Sequence, residues 1–143
     1  MSSYHVHLIQ ARHNEDLIQL LGPDSREFPD WVITATFYSA LHYLEAGLNN
    51  NIRILHSHLC KLRNEPLHYT RQRLLRLHYS LQAYQSYRDL YDASIRSRYL
   101  YDLVRRQDLL SGYVHHTTQE LKHFYYTDLD SIRREFGFRN PYP

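Results

Sequence analysis

Tyr38, His42 and Glu45 lie on one amphipathic stretch, WVITATFYSALHYLE (Trp31–Glu45). A phenol, an imidazole and a carboxylate in one row can hold an anion or move a proton. At roughly 3.6 residues per turn, the row sits about 100° round from the centre of the apolar stripe Ile33, Phe37, Leu41, Leu44, Leu48. That is the margin of a core, where a polar side chain is half buried. Arginine with histidine makes a second reactive combination. Cleaving RNA without a metal needs a group that moves the 2′-hydroxyl proton and a cation that steadies the phosphorane charge, and these two residue types supply both. Arg53/His58, Arg63/His68, Arg71/His78 and Arg73/His78 each place an arginine five to seven residues before a histidine. Chance alone gives about three or four such matches at this composition, so their number carries no weight.

The histidines form close pairs at His5/His7, His56/His58 and His115/His116. No H-E-x-x-H segment accompanies them and Cys60 is the only cysteine, so neither a metal site nor a cofactor is expected. Glycine-rich phosphate loops and serine- or cysteine-hydrolase signatures are missing from the sequence. Cys60 in SHLCKL reads as a small apolar side chain.

Helices must position these groups. With 4 glycines and 5 prolines in 143 residues, the chain lacks the turns of an all-β domain and is long enough for one core. The expectation is an all-α, antiparallel, up-down bundle of four or five helices over residues 1–143, with a frayed tail at 138–143. A first helix over residues 4–21 would turn Leu8, Ala11, Ile18 and Leu21 inward, and Gly22-Pro23 would end it. The second would start at Pro29 or Asp30, with Asp30 as cap, and fray in Asn49-Asn50-Asn51. A short helix over residues 57–64, capped by Ser57, would face Leu59 and Leu62 inward and stop at Pro66. Residues 67–99 read as helix, with room for a break, along the stripe Leu77, Leu81, Tyr84, Tyr91, Ile95; a parallel row runs Tyr84, Tyr87, Tyr91, Ser94, Arg98. A last helix, from Leu103 or Asp108 to Phe136, would carry Leu110, Val114, Leu121, Tyr125, Leu129 and Ile132, with Gly137 as its C-terminal cap.

Net charge is +2 overall but uneven: −4 over residues 1–52, +7 over 53–106 and −1 over 107–143. Nearly all the cations in the middle block are arginines, which suit forked binding of phosphate or carboxylate; the same residues also read as a solvated helix face. The 14 tyrosines suit core and rim packing, a self-association surface or base stacking. A lone cysteine, no apolar run of membrane length and no secretory leader pattern point to a cytoplasmic protein without membrane contact.

Three segments in order, FYSALHYLEA (Phe37–Ala46), SHLCKLR (Ser57–Arg63) and SIRSRY (Ser94–Tyr99), resemble helical HEPN domains (higher eukaryote and prokaryote nucleotide-binding). The resemblance implies an α-bundle, a homodimer, and roles around nucleotides, RNA, toxin–antitoxin pairs or defence, with an antitoxin or other protein as partner. Carried over by position, it marks Tyr38, His42, Glu45, Ser94, Arg98 and Tyr99 as ligand-binding, together with His58 and Arg63. The ribonuclease branch of HEPN domains carries R-x(4–6)-H with a polar residue after the arginine. Arg63-Asn64-Glu65-Pro66-Leu67-His68 is the segment most similar to it, making His58, Arg63 and His68 catalytic candidates, although Pro66 breaks the chain between the partners. Two structural readings stand beside this one. In the first, the polar groups form an internal network, with Glu45 paired to Arg98 or Arg63 and His42 oriented by a tyrosine. In the second, the chain is a non-catalytic interaction module whose Tyr84, Tyr87 and Tyr91 lie in an interface.

Overall fold

The computed structural model describes residues 3–51, 56–99 and 117–142, which fold into helices with no strand among them. In chain order these are α1 (Ser3–Leu21), α2 (Pro29–Asn49), α3 (Ser57–Cys60), α4 (Leu67–His78), α5 (Leu81–Tyr99), α6 (Thr118–His123), a π-helical segment (Phe124–Leu129) and α7 (Asp130–Glu135). The last three follow one another without a break in the chain. Their packing is that of a helical bundle, and none of the described helices is long and apolar enough to cross a membrane. The expected upstream part of the last helix, with Leu110 and Val114, lies outside the described residues.

α2 is the axis of the bundle. It packs against α1, α5 and all three parts of the C-terminal rod. The stripe Ile33, Phe37, Leu41, Leu44, Leu48 is buried as expected, but so are Val32, Ala35, Ala40, Tyr43 and Ala46 on the other sides. Only one strip along its length stays accessible: Trp31, Thr34, Tyr38 and His42, at spacings of three and four. Small residues let α1 approach closely. Ser39 Oγ donates to the Ala11 carbonyl at 2.8 Å, with Ala11 and Ala40 fully buried beside it. Gly47 serves the other side, since a Cβ there would run into the ring of Phe136.

Helix ends correct several local expectations. Pro29 occupies the first position of α2, where its missing N–H costs nothing, so Asp30 sits inside the first turn rather than capping it. α3 ends after one turn because Lys61 turns extended, and its cap is His56, whose Nδ1 accepts from the His58 N–H, not Ser57. Leu59 and Leu62 are consequently exposed instead of inward. Pro66 does not end α3 as expected but occupies the N-cap position of α4. The turn between them is stitched by Glu65, which accepts from the Leu62 N–H, Thr70 and Arg73 at 2.8–3.1 Å. These hydrogen bonds, with Arg73 foremost, hold the Glu65 carboxyl down to about 2.

α4 and α5 are separated at Tyr79-Ser80, where Glu135 accepts from both the N–H and the hydroxyl of Ser80 at 2.8 Å. The break resets the helical phase, which leaves Leu77 and Leu81 exposed. Thr117 and Glu120 form a reciprocal capping box at the start of α6. Gly137, at φ 76°, closes α7; its N–H bonds to Arg134 O and the Phe138 N–H to Arg133 O, the Schellman pattern. In the tail, Phe138 packs its ring on Tyr43 at 5.1 Å between centroids.

Candidate functional site: a histidine–arginine cluster beside an open groove

The accessible strip of α2 ends at Glu45, and here the chain closes over it. The Glu45 side chain has no exposed surface. Ser57 donates to it through both its hydroxyl and its N–H, and Arg71 of α4 donates Nε to Oε1 at 2.7 Å. Burial pushes the Glu45 carboxyl up, but the Ser57 and Arg71 bonds outweigh it and hold the group below the usual carboxylate range. Its partner is therefore Arg71, not the expected Arg98 or Arg63.

Three imidazoles form a chain beside this carboxylate. His56 Nε2 lies 3.3 Å from Glu45 Oε2 and 3.0 Å from His7 Nε2; His7 Nδ1 lies 2.9 Å from His42 Nδ1. His56 Nδ1 accepts from the His58 N–H, so in the neutral ring its proton sits on Nε2 and points toward His7 and Glu45. His7 then carries its proton on Nδ1 and donates to His42, which is left protonated on Nε2. Burial lowers all three rings, with Glu45 opposing that shift and the nearby cations adding to it; His42 falls to about 4. The cluster is neutral imidazole around one ionised carboxylate at neutral pH. A histidine, not the expected tyrosine, orients His42.

Arg71 joins this cluster to a groove of about 530 Å³ between α2, α4 and α5, lined among others by Tyr38, His42, His68, Arg71, Tyr91 and Arg98. Arg98 Nη1 donates to the Tyr38 hydroxyl at 2.8 Å, and its guanidinium lies over the Phe37 and Tyr38 rings at 5.9 and 5.4 Å. Ser94 is buried behind it; Arg98 Nε and Nη2 reach the Ser94 carbonyl and hydroxyl at 3.4 Å. His68 stacks on Tyr91 at 4.8 Å and 16° between ring planes. Burial, with Arg71 adding to it, lowers the His68 imidazole. Among the described residues the lining contains two guanidiniums and no carboxylate.

Of the expected ligand residues, Tyr38, His42 and Arg98 meet in the groove, Glu45 supports it from behind through Arg71, and Ser94 positions Arg98. The Tyr99 side chain lies outside what is described. Among the catalytic candidates only His68 lines the groove. Arg63 is exposed on the α3–α4 turn, and His58 is exposed and stacked on His56 at 4.8 Å. Tyr87, expected in an interface, is fully buried in the core. His7, His56 and Arg71 were the residues sequence reasoning did not place here. Their only signal was membership of a close histidine pair or of a chance-level arginine–histidine spacing. No family, curated protein or solved structure matches this chain.

Proposed function

We propose that this chain is a HEPN-like, up-down antiparallel bundle that binds a phosphate-bearing ligand, a nucleotide or a stretch of RNA, in the groove between α2, α4 and α5. The observation that carries the reading is the convergence of Arg71 and Arg98 on one open groove with the Tyr38 hydroxyl and, among the described residues, no acid in the lining. Two guanidiniums suit an oxyanion, and the stacked His68–Tyr91 pair offers a flat surface for a base. The test is titration with a nucleoside triphosphate and with a short single-stranded RNA, at low salt and at roughly tenfold higher salt. The reading expects binding that weakens steeply with salt, and about a tenfold or greater loss in Arg98→Ala. Absence of binding to either ligand at low salt removes it. Metal-independent RNA cleavage, as a toxin or defence component, is its sharper form. His68→Ala is the informative variant, since cleavage that persists in that folded variant excludes His68 as the catalyst.

Self-association is supported by a different observation. Leu17 and Trp31 share a surface hollow at the α1–α2 junction and are 38% and 59% exposed, with Leu20 and Phe28 exposed on neighbouring turns. A homodimer built there, rather than on Tyr84, Tyr87 and Tyr91, predicts that Trp31→Lys sediments as a monomer while the parent sediments as a dimer. An unchanged mass for the variant excludes this face.

A further inference from the structure

We propose that His7, Glu45 and His56 form a binding site for a divalent transition-metal ion of borderline softness, with zinc the expected occupant. Their ligand atoms lie within 4.8 Å of one another, although they come from α1, α2 and the residue before α3. A tetrahedral zinc ion with bonds of about 2.0–2.1 Å separates neighbouring ligand atoms by roughly 3.3–3.4 Å. The edges His56 Nε2–Glu45 Oε2 and His7 Nε2–His56 Nε2 are already 3.3 and 3.0 Å. Two imidazoles and one carboxylate form a donor set that zinc and its neighbours favour over calcium or magnesium.

Supporting bonds orient His7 and Glu45 as a metal site requires. His7 presents Nε2 to the site while its Nδ1 faces His42 at 2.9 Å, which fixes the ring and its tautomer. The Ser57 hydroxyl and Arg71 hold Glu45 on Oε1, while Oε2 accepts from the Ser57 N–H at 3.3 Å and faces His56 Nε2 at the same distance. The rings are kept neutral by burial, the form that ligates. Binding has one local consequence. The His56 proton must move from Nε2 to Nδ1, where it displaces the bond accepted from the His58 N–H. The one-turn helix α3 therefore loosens at its start when the ion is held. The proposal does not rest on the nucleotide reading, since neither His7 nor His56 lines that groove, which Glu45 reaches only through Arg71.

The test uses the full chain, stripped with a chelator. Zinc is titrated by calorimetry, cobalt(II) is followed by its visible absorption, and the zinc-loaded protein is examined by X-ray absorption. One ion per chain, an absorption envelope of tetrahedral cobalt, and scattering from two imidazoles are expected. His7→Ala and His56→Ala should each weaken binding by at least about 100-fold, His42→Ala by about 10- to 100-fold, and the exposed His13→Ala not at all. No ion bound by the parent protein overturns the proposal. So does binding undiminished in folded His7→Ala and His56→Ala, which would place the ion elsewhere. If those variants do not fold, the X-ray absorption decides, and fewer than two imidazoles on the ion overturns the site.

Discussion

His42 shows how burial and partners together set a side chain's chemistry. Its imidazole is lowered from 6.5 to about 4 by burial first, then by His7 and Arg71. A histidine whose folded pKa is depressed leaves stability intact above the unfolded value, and stability falls as pH drops from there toward the folded value, because only the unfolded chain takes up the proton. The denaturation midpoint should thus hold steady from pH 8 to 7 and decline between about 6.5 and 4. His42→Gln should flatten that decline, and a variant with the parent's full slope would show that other groups cause it. Glu45 acts in the same direction at lower pH, since its depressed carboxyl is stabilising above its ordinary value and ceases to be so on protonation. The row Tyr38, His42, Glu45 was readable from spacing alone. The identity of its partners was not, because His7 and Arg71 reach it from helices distant in sequence.

At the scale of elements, period and phase decide what can be read. α1 and α2 are uninterrupted, so their inward stripes follow from spacing. Leu59, Leu62, Leu77 and Leu81 were misplaced because each sits beside a point where the helix stops, at Lys61 or Tyr79, and periodicity does not cross such a point. The close approach of α2 to the end of α7 depends on Gly47, whose Cα faces the Phe136 ring. Gly47→Ala should destabilise the fold by about 1–3 kcal/mol despite the better helix propensity of alanine. A thermal melt that rises in this variant would mean Phe136 can swing away without loss.

Across the whole molecule, an ion pair ties α1 to α7. Glu15 and Arg133 are fully buried, with Arg133 Nη1 3.6 Å from Glu15 Oε2, longer than a hydrogen bond, and Arg133 lies over the Tyr125 ring at 5.7 Å. Burial raises the Glu15 carboxyl even with Arg133 beside it. A pair with such geometry contributes little net stability yet is costly to break on one side. Arg133→Met alone should cost about 3 kcal/mol or more in urea unfolding, whereas Arg133→Met with Glu15→Leu should fall within about 1 kcal/mol of the parent. Equal losses in the single and double variants would contradict this. The sequence by itself determined that the described residues are helical, that Ile33, Phe37, Leu41, Leu44 and Leu48 of α2 turn inward, and that Tyr38 and His42 border the core, since these follow from local spacing and turn chemistry. Tertiary structure alone decided that Glu45 meets Ser57 and Arg71 rather than Arg98 or Arg63, that three histidines from separate segments form one chain, and that Arg98 reaches Tyr38. Such meetings depend on where helices end and how they cross, which residue order along one strand of sequence does not encode locally.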